Sequence, residues 1–181
     1  MIITLRELID ILIMTAAVGY IFMDFLRLPR QSYGFDWKQL WLACLVTAPA
    51  LIFHELAHKF TALAFGAQAT FHAAYTFLVL GIVLKLVHSP IIFFVPGYVE
   101  IPASLLPLQS ALVAFAGPAL NGVLYLVAKY VTTQRVSRTR RWLFFWHMTQ
   151  RINGFLFIFN MLPIPGFDGL KVYQGLWNAF F

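Results

Sequence analysis

The 181 residues are 61% apolar, 17% aromatic and only 11% charged, with a mean hydropathy of +0.78, whereas an average soluble domain is about half apolar and a quarter charged. So short a chain cannot hide that much apolar surface from water. The composition therefore excludes a soluble enzyme and points to an integral, multi-pass protein of the cell membrane with the lipid bilayer as its first partner. Thirteen Lys and Arg against seven Asp and Glu leave a net charge of +6, which at this hydropathy belongs to loops and lipid headgroups, not to nucleic acid.

A spanning helix needs about 20 mostly apolar residues. Residues 8–26 meet that measure first. They are expected to stay in the protein, because Glu7 and Asp10 stand where a cleavable signal would be basic and no small-residue cleavage site follows. The polar stretch 27–38 leads into a second span, 39–65, which contains Cys44, a single cysteine best explained as a small core residue. Residues 74–95 are apolar and form a disputed fifth span; 105–131 and 142–164 are strong ones, although Gln150 and Arg151 blur the start of the last and mark a possible interface. Between them TTQRVSRTRR, 132–141, is the densest charge run, a juxtamembrane basic loop held at the lipid surface. Residues 170–181 are too few to cross as a helix. No repeat or interdomain linker divides the chain, so a single membrane domain is expected over 1–181, an all-α polytopic transmembrane helix bundle.

The chemistry is concentrated in three places. His54-Glu55-Leu56-Ala57-His58 is an HExxH pattern inside the second span. Histidines four apart share one helix face, so both imidazoles can reach one zinc ion, while Glu55 points about 100° round the helix and can reach a water without being a ligand. Inside lipid such groups are costly unless they act. A tetrahedral catalytic site needs a third protein ligand, and Asp168 is the best candidate: Pro163, Pro165 and Gly166 break the preceding helix and let extended backbone carry a carboxylate into the bundle. Asp168 could instead cap the helix that follows, and His72, His88 and His147 are rival third ligands. In Phe115-Ala116-Gly117-Pro118-Ala119-Leu120-Asn121, Gly117 permits close backbone approach and Asn121 offers an amide to a peptide group; a plain helix-packing site with a satisfied Asn explains it equally well.

Taken together, HELAH in an apolar helix, AGPALN later and N-x-x-P-x-x-x-x-D-G last resemble the site-2 protease family of intramembrane zinc metalloproteases, in the family's order and from about Phe53 to Leu170. The resemblance implies one Zn²⁺ per chain bound by His54, His58 and Asp168, Glu55 as general base, and Asn121 and Asn160 near the substrate peptide or the oxyanion. Gly97-Tyr98-Val99 is similar to the segment that family members use as an edge strand beside the substrate, which would be a transmembrane segment of another protein. The chain departs from the plainest pattern in having apolar 74–95 before that strand and no recognisable PDZ insertion. Two rivals are a non-catalytic scaffold that binds transmembrane helices and a metal transporter.

Charge and geometry disagree about topology. If 74–95 crosses fully, Asp168 ends at the opposite membrane face from the end of the HExxH helix, too far for shared coordination. If it is re-entrant, turning near Lys85 to Pro90, the ligands meet. Coordination tolerates tenths of an ångström and loop charge is a statistical preference, so re-entrance is expected. The Arg-rich loop then favours an active-site opening away from the cytoplasm, whereas the resemblance implies one toward it.

Overall fold

The computed structural model describes residues 3–26, 35–89, 96–101, 105–134 and 139–181. In chain order these form α1 (Leu5–Phe22), α2 (Trp37–Ala64), β1 (Thr70–Ala73), α3 (Tyr75–Leu86), β2 (Gly97–Glu100), α4 (Pro107–Thr133), α5 (Arg140–Asn160) and α6 (Asp168–Phe180). The fold is mostly helical with one two-stranded sheet, β1 beside β2. Helices α2 and α4, of 28 and 27 residues, are long and apolar enough to cross a membrane. α1 and α5 fall short of that mark: α1 carries Arg6, Glu7 and Asp10, while α5 opens on two arginines and holds Gln150 and Arg151. The chain divides into two compact units, Met1–Ile52 with Phe71–Tyr98, and Phe53–Thr70 with Val99–Phe181.

In the first unit α1 starts on a capping box. The Thr4 hydroxyl accepts from the Glu7 N–H at 3.3 Å, and the Glu7 carboxylate accepts from the Thr4 N–H at 2.8 Å. That carboxylate is buried and serves a second purpose. It accepts the backbone N–H of Phe71 at 2.8 Å, and buried Asp10, one turn further along α1, accepts that of Ala73 at 3.3 Å. Phe71 and Ala73 are alternate residues of β1, so their N–H groups point to one edge, which α1 closes with side chains where a further strand would otherwise pair. Asp10 also accepts from the Tyr75 hydroxyl. On α3, Lys85 donates to the Tyr20 carbonyl and pairs with Asp24 at 3.2 Å.

α3 has 12 residues, about 18 Å of rise, well short of a bilayer crossing. The Ala74 N–H donates to the Pro96 carbonyl at 3.1 Å, so the excursion between them leaves and returns at one point. That closure is the geometry a re-entrant segment requires. Its turn, expected near 85–90, runs into residues 90–95, which lie outside the described residues, as do 135–138 of the basic loop.

In the second unit α4 packs against both α5 and α6. Ala62, Ala67, Ala69 and Val113 form a small buried cluster joined by Leu63, Val99, Ile101 and Leu105, which ties the end of α2 to α4. On α6 the buried residues are Gly169, Val172 and Gly175, three apart on one stripe. In this unit the part of α2 from Phe53 on, α4 and the start of α6 meet at His54, and α5 is linked to it through Asn121.

Candidate metal centre

His54 and His58 lie one turn apart on α2, both buried. Their Nε2 atoms are 3.0 Å apart, and Oδ2 of Asp168 lies 3.0 Å from the first and 3.3 Å from the second. The edge of a tetrahedron with bonds of about 2.0–2.1 Å is about 3.3–3.4 Å, so the three atoms are spaced as one face of a zinc coordination shell.

What these atoms carry follows from their partners. The Nδ1 of His58 is 2.7 Å from the carbonyl of Val113, and a carbonyl only accepts, so this Nδ1 bears the proton and Nε2 of the neutral ring bears a lone pair. For His54 the assignment runs through two amides. The Thr149 carbonyl accepts from Asn153 Nδ2 at 2.8 Å, Asn153 Oδ1 accepts from Asn121 Nδ2 at 2.8 Å, and Asn121 Oδ1 therefore faces His54 Nδ1 at 2.5 Å as an acceptor. His54 too presents a lone pair at Nε2. Asp168 turns a carboxylate oxygen, an acceptor with lone pairs of its own, toward both Nε2 atoms. Three lone pairs thus converge on one point. They repel unless a cation stands among them; a proton bridges two such atoms, a divalent metal all three. Two neutral imidazoles and a carboxylate are a donor set able to hold a zinc ion and would leave its fourth position to water.

Local sequence makes this convergence possible. A Cβ on Gly117 would lie against Nε2 of His58 and 2.7 Å from Nε2 of His54, so α4 can approach the two rings only with glycine there. Pro118, next to it, has no N–H for the Ala114 carbonyl. A Cβ on Gly169 would fall 2.5–2.6 Å from backbone atoms of Met161 and Leu162, so glycine lets the start of α6 rest directly on the end of α5, which fixes the height of Asp168. The turn between is made by Pro163, Pro165 and Gly166, the last at φ +95°. Asp168 is the first residue of α6, and the capping position before it, Phe167, makes no side-chain cap bond; the carboxylate is aimed at the histidines, and the helix N-terminus favours its charge.

Glu55 is buried beside the rings and accepts no hydrogen bond among the described residues. Asp168 is the open side of the site, its side chain 19% exposed against 7% and 8% for the histidines. The other candidate ligands lie elsewhere in the chain. His72 is on β1 with its ring 5.5 Å from that of Tyr98, His88 follows α3 with φ +52°, and His147 is exposed on α5. Gly97, Tyr98 and Val99 lie on β2, where Tyr98 is exposed. Asn160 is the last residue of α5. Asn121 is fully buried, with both ends of its amide engaged as described. Asn153, 1% exposed, was not singled out from the sequence; an Asn seven residues before Asn160 in an apolar helix, one more amide to be satisfied, was the available signal.

A curated protein of Methanocaldococcus jannaschii named "Putative zinc metalloprotease" is 36% identical to the chain over 180 residues, covering 97% of this chain and 86% of that protein. The chain belongs to that zinc metalloprotease family. Agreement between this relationship and a His, His, Asp group able to hold a metal supports zinc as the ion. No family model and no solved structure matches the chain.

Proposed function

We propose that this zinc metalloprotease is an intramembrane enzyme of site-2 protease type, which hydrolyses a peptide bond within a transmembrane segment of another protein. The observation that carries the reading is the convergence of the His54, His58 and Asp168 lone pairs, the two histidines standing on a helix long and apolar enough to cross a membrane. The polytopic bundle and multi-pass placement are part of the same proposal, supported by α2 and α4 together with the closed excursion around α3.

Zinc held by these residues supplies Lewis acidity toward the scissile carbonyl and acidifies water. The chain does the rest. Glu55, adjacent to the first ligand and unencumbered by hydrogen bonds, takes the proton of the attacking water and passes it to the leaving amine. The carbonyl of Val113 and the Asn153–Asn121 pair hold the two imidazoles in the tautomer that leaves Nε2 free. The Asp168 side, the more exposed one, admits water. β2, with Gly97, Tyr98 and Val99, offers backbone groups to a substrate segment unwound into an extended form, and Asn160, at the end of α5, is proposed to contact the substrate. For Asn121 the hydrogen bonds support a role in orienting His54.

The test is metal analysis of purified protein. One zinc per chain is expected, with His54→Ala, His58→Ala and Asp168→Ala each lowering occupancy, because two ligands leave an incomplete site. Full occupancy in Asp168→Ala would overturn the third ligand and return attention to His72, His88 and His147.

A further inference from the structure

Away from the metal centre, α4 and α5 enclose an open cleft of about 410 Å³ lined by Lys129, Thr132, Thr133, His147, Gln150 and Arg151. Two cationic side chains and an imidazole face it, with two hydroxyls and an amide, and no acid among the described residues lines it. Its floor is ordered: the Thr132 hydroxyl shares its one proton between the Lys129 carbonyl at 2.9 Å and Oε1 of Gln150 at 3.1 Å, and the Lys129 ammonium stands 5.8 Å from the centroid of the Tyr125 ring. This arrangement suits a singly charged, multiply accepting group such as a phosphodiester.

The flanking surface selects among phosphates. On α4 the residues before Lys129 are apolar and exposed, Val123, Leu126 and Val127 at 53, 61 and 46%; on α5 those after Arg151 are likewise, Phe155 and Ile158 at 61 and 67%. Both helices therefore change from apolar to cationic at the level of the cleft. On the cationic side stand exposed Tyr130 and Trp142, the aromatic residues favoured where bilayer meets water. A soluble phosphate has no use for the apolar track, whereas a phospholipid needs both parts. We propose that this cleft is a binding site for the headgroup of an anionic phospholipid, whose acyl chains run along the exposed faces of α4 and α5. The site rests on the membrane reading of the chain, but not on its catalytic one.

The experiment begins with that dependence. Partition of the full chain into membranes is measured first, and a freely soluble chain would overturn the membrane reading itself. The protein is then equilibrated with mixed phosphatidylglycerol and phosphatidylcholine and retained lipid is counted by native mass spectrometry. Preferential retention of one phosphatidylglycerol is expected, reduced about tenfold or more in Lys129→Gln/His147→Gln/Arg151→Gln and severalfold in Arg151→Gln alone. Zinc content should be unchanged in both, which shows that they fold. Arg140→Gln/Arg141→Gln, outside the cleft, should retain the lipid. Equal retention of the two lipids, undiminished retention in the cleft variants, or loss caused by the loop arginines instead would each overturn the site. Full displacement by inorganic phosphate would show that the cleft takes free phosphate and would overturn the lipid assignment.

Discussion

At the scale of single residues, the metal centre is governed by which nitrogen of each imidazole carries its proton. Val113 decides this for His58 through a backbone carbonyl, and Asn153 decides it for His54 through Asn121, with Thr149 as the fixed end of the chain of bonds. Outer-shell partners of metal-bound histidines are typically worth 10–100-fold in metal affinity. Asn153→Ala, which touches no ligand, is therefore expected to weaken zinc by about tenfold or more, read by competition with a chelator, while Asn153→Asp, which still offers an acceptor to Asn121, should lose less. Equal affinity in wild type and Asn153→Ala would show that the relay does not set the tautomer. Gly117→Ala has a steric consequence: its methyl would stand in the space of the two rings, so zinc should be lost although all three ligands remain.

The candidate ligand group was legible in the sequence for a physical reason. HExxH is a local pattern, and four-residue spacing on a helix dictates a shared face whatever the rest of the fold does. Asp168 needed more, since its place depends on how a broken segment returns, and the prolines and Gly166 said only that the helix stops. Asn153 was not legible, because nothing local distinguishes a buried Asn that orients a ligand from one at an interface. The direction of the Asn121 amide was equally hidden; it depends on a partner 32 residues away.

Among the elements, α1 departs furthest from what its sequence suggested. Glu7 and Asp10 argued only against a signal peptide; in the fold they are hydrogen-bond acceptors for alternate N–H groups of β1. A helix rise of 4.5 Å for three residues against about 6.6 Å for two residues of strand is a mismatch that flexible carboxylates can absorb. Removing one leaves a buried N–H without its partner, at about 1–3 kcal/mol. Glu7→Ala should thus destabilise the protein by roughly that amount, and Glu7→Gln, which keeps an acceptor, by less. Zinc content should be unchanged in both, since His54, His58 and Asp168 are untouched. Denaturant titration in detergent measures the first quantity, and a neutral Glu7→Ala would contradict the edge-closing role. α3 was legible as apolar, and a turn near Lys85 to Pro90 was expected only from the geometry the candidate ligands require. Its 12 residues end where hydropathy gives no signal, and what marks the excursion as closed is the bond from Ala74 to Pro96, a contact between segments 22 residues apart.

For the whole molecule, composition established apolarity at once, and the described helices agree with it only in part, α2 and α4 being long and apolar enough to cross a membrane. On the proposed membrane reading, joining the HExxH helix to Asp168 puts Phe65 and the 163–166 turn toward one membrane face. α5 then carries the chain about 30 Å, so its basic start lies toward the other. Single cysteines at Ala67, Ser137 and Gly166 in a Cys44→Ala background, probed with a membrane-impermeant thiol reagent, should label at 67 and 166 from one side and at 137 from the other. Labelling of 67 and 137 together, with 166 opposite, would contradict the re-entrant arrangement.

Catalysis is the central claim, and Glu55→Gln tests it most directly. The substitution keeps the side-chain volume and leaves the three ligands in place while removing the base. Wild type and variant are reconstituted with a labelled single-span substrate, and zinc, substrate binding and product are measured on the same samples. A positioned general base contributes roughly 10²–10⁴-fold, so cleavage should fall at least about a hundredfold with zinc and binding retained. Undiminished cleavage in Glu55→Gln, or binding without cleavage by zinc-loaded wild type, as a scaffold would give, would contradict the account.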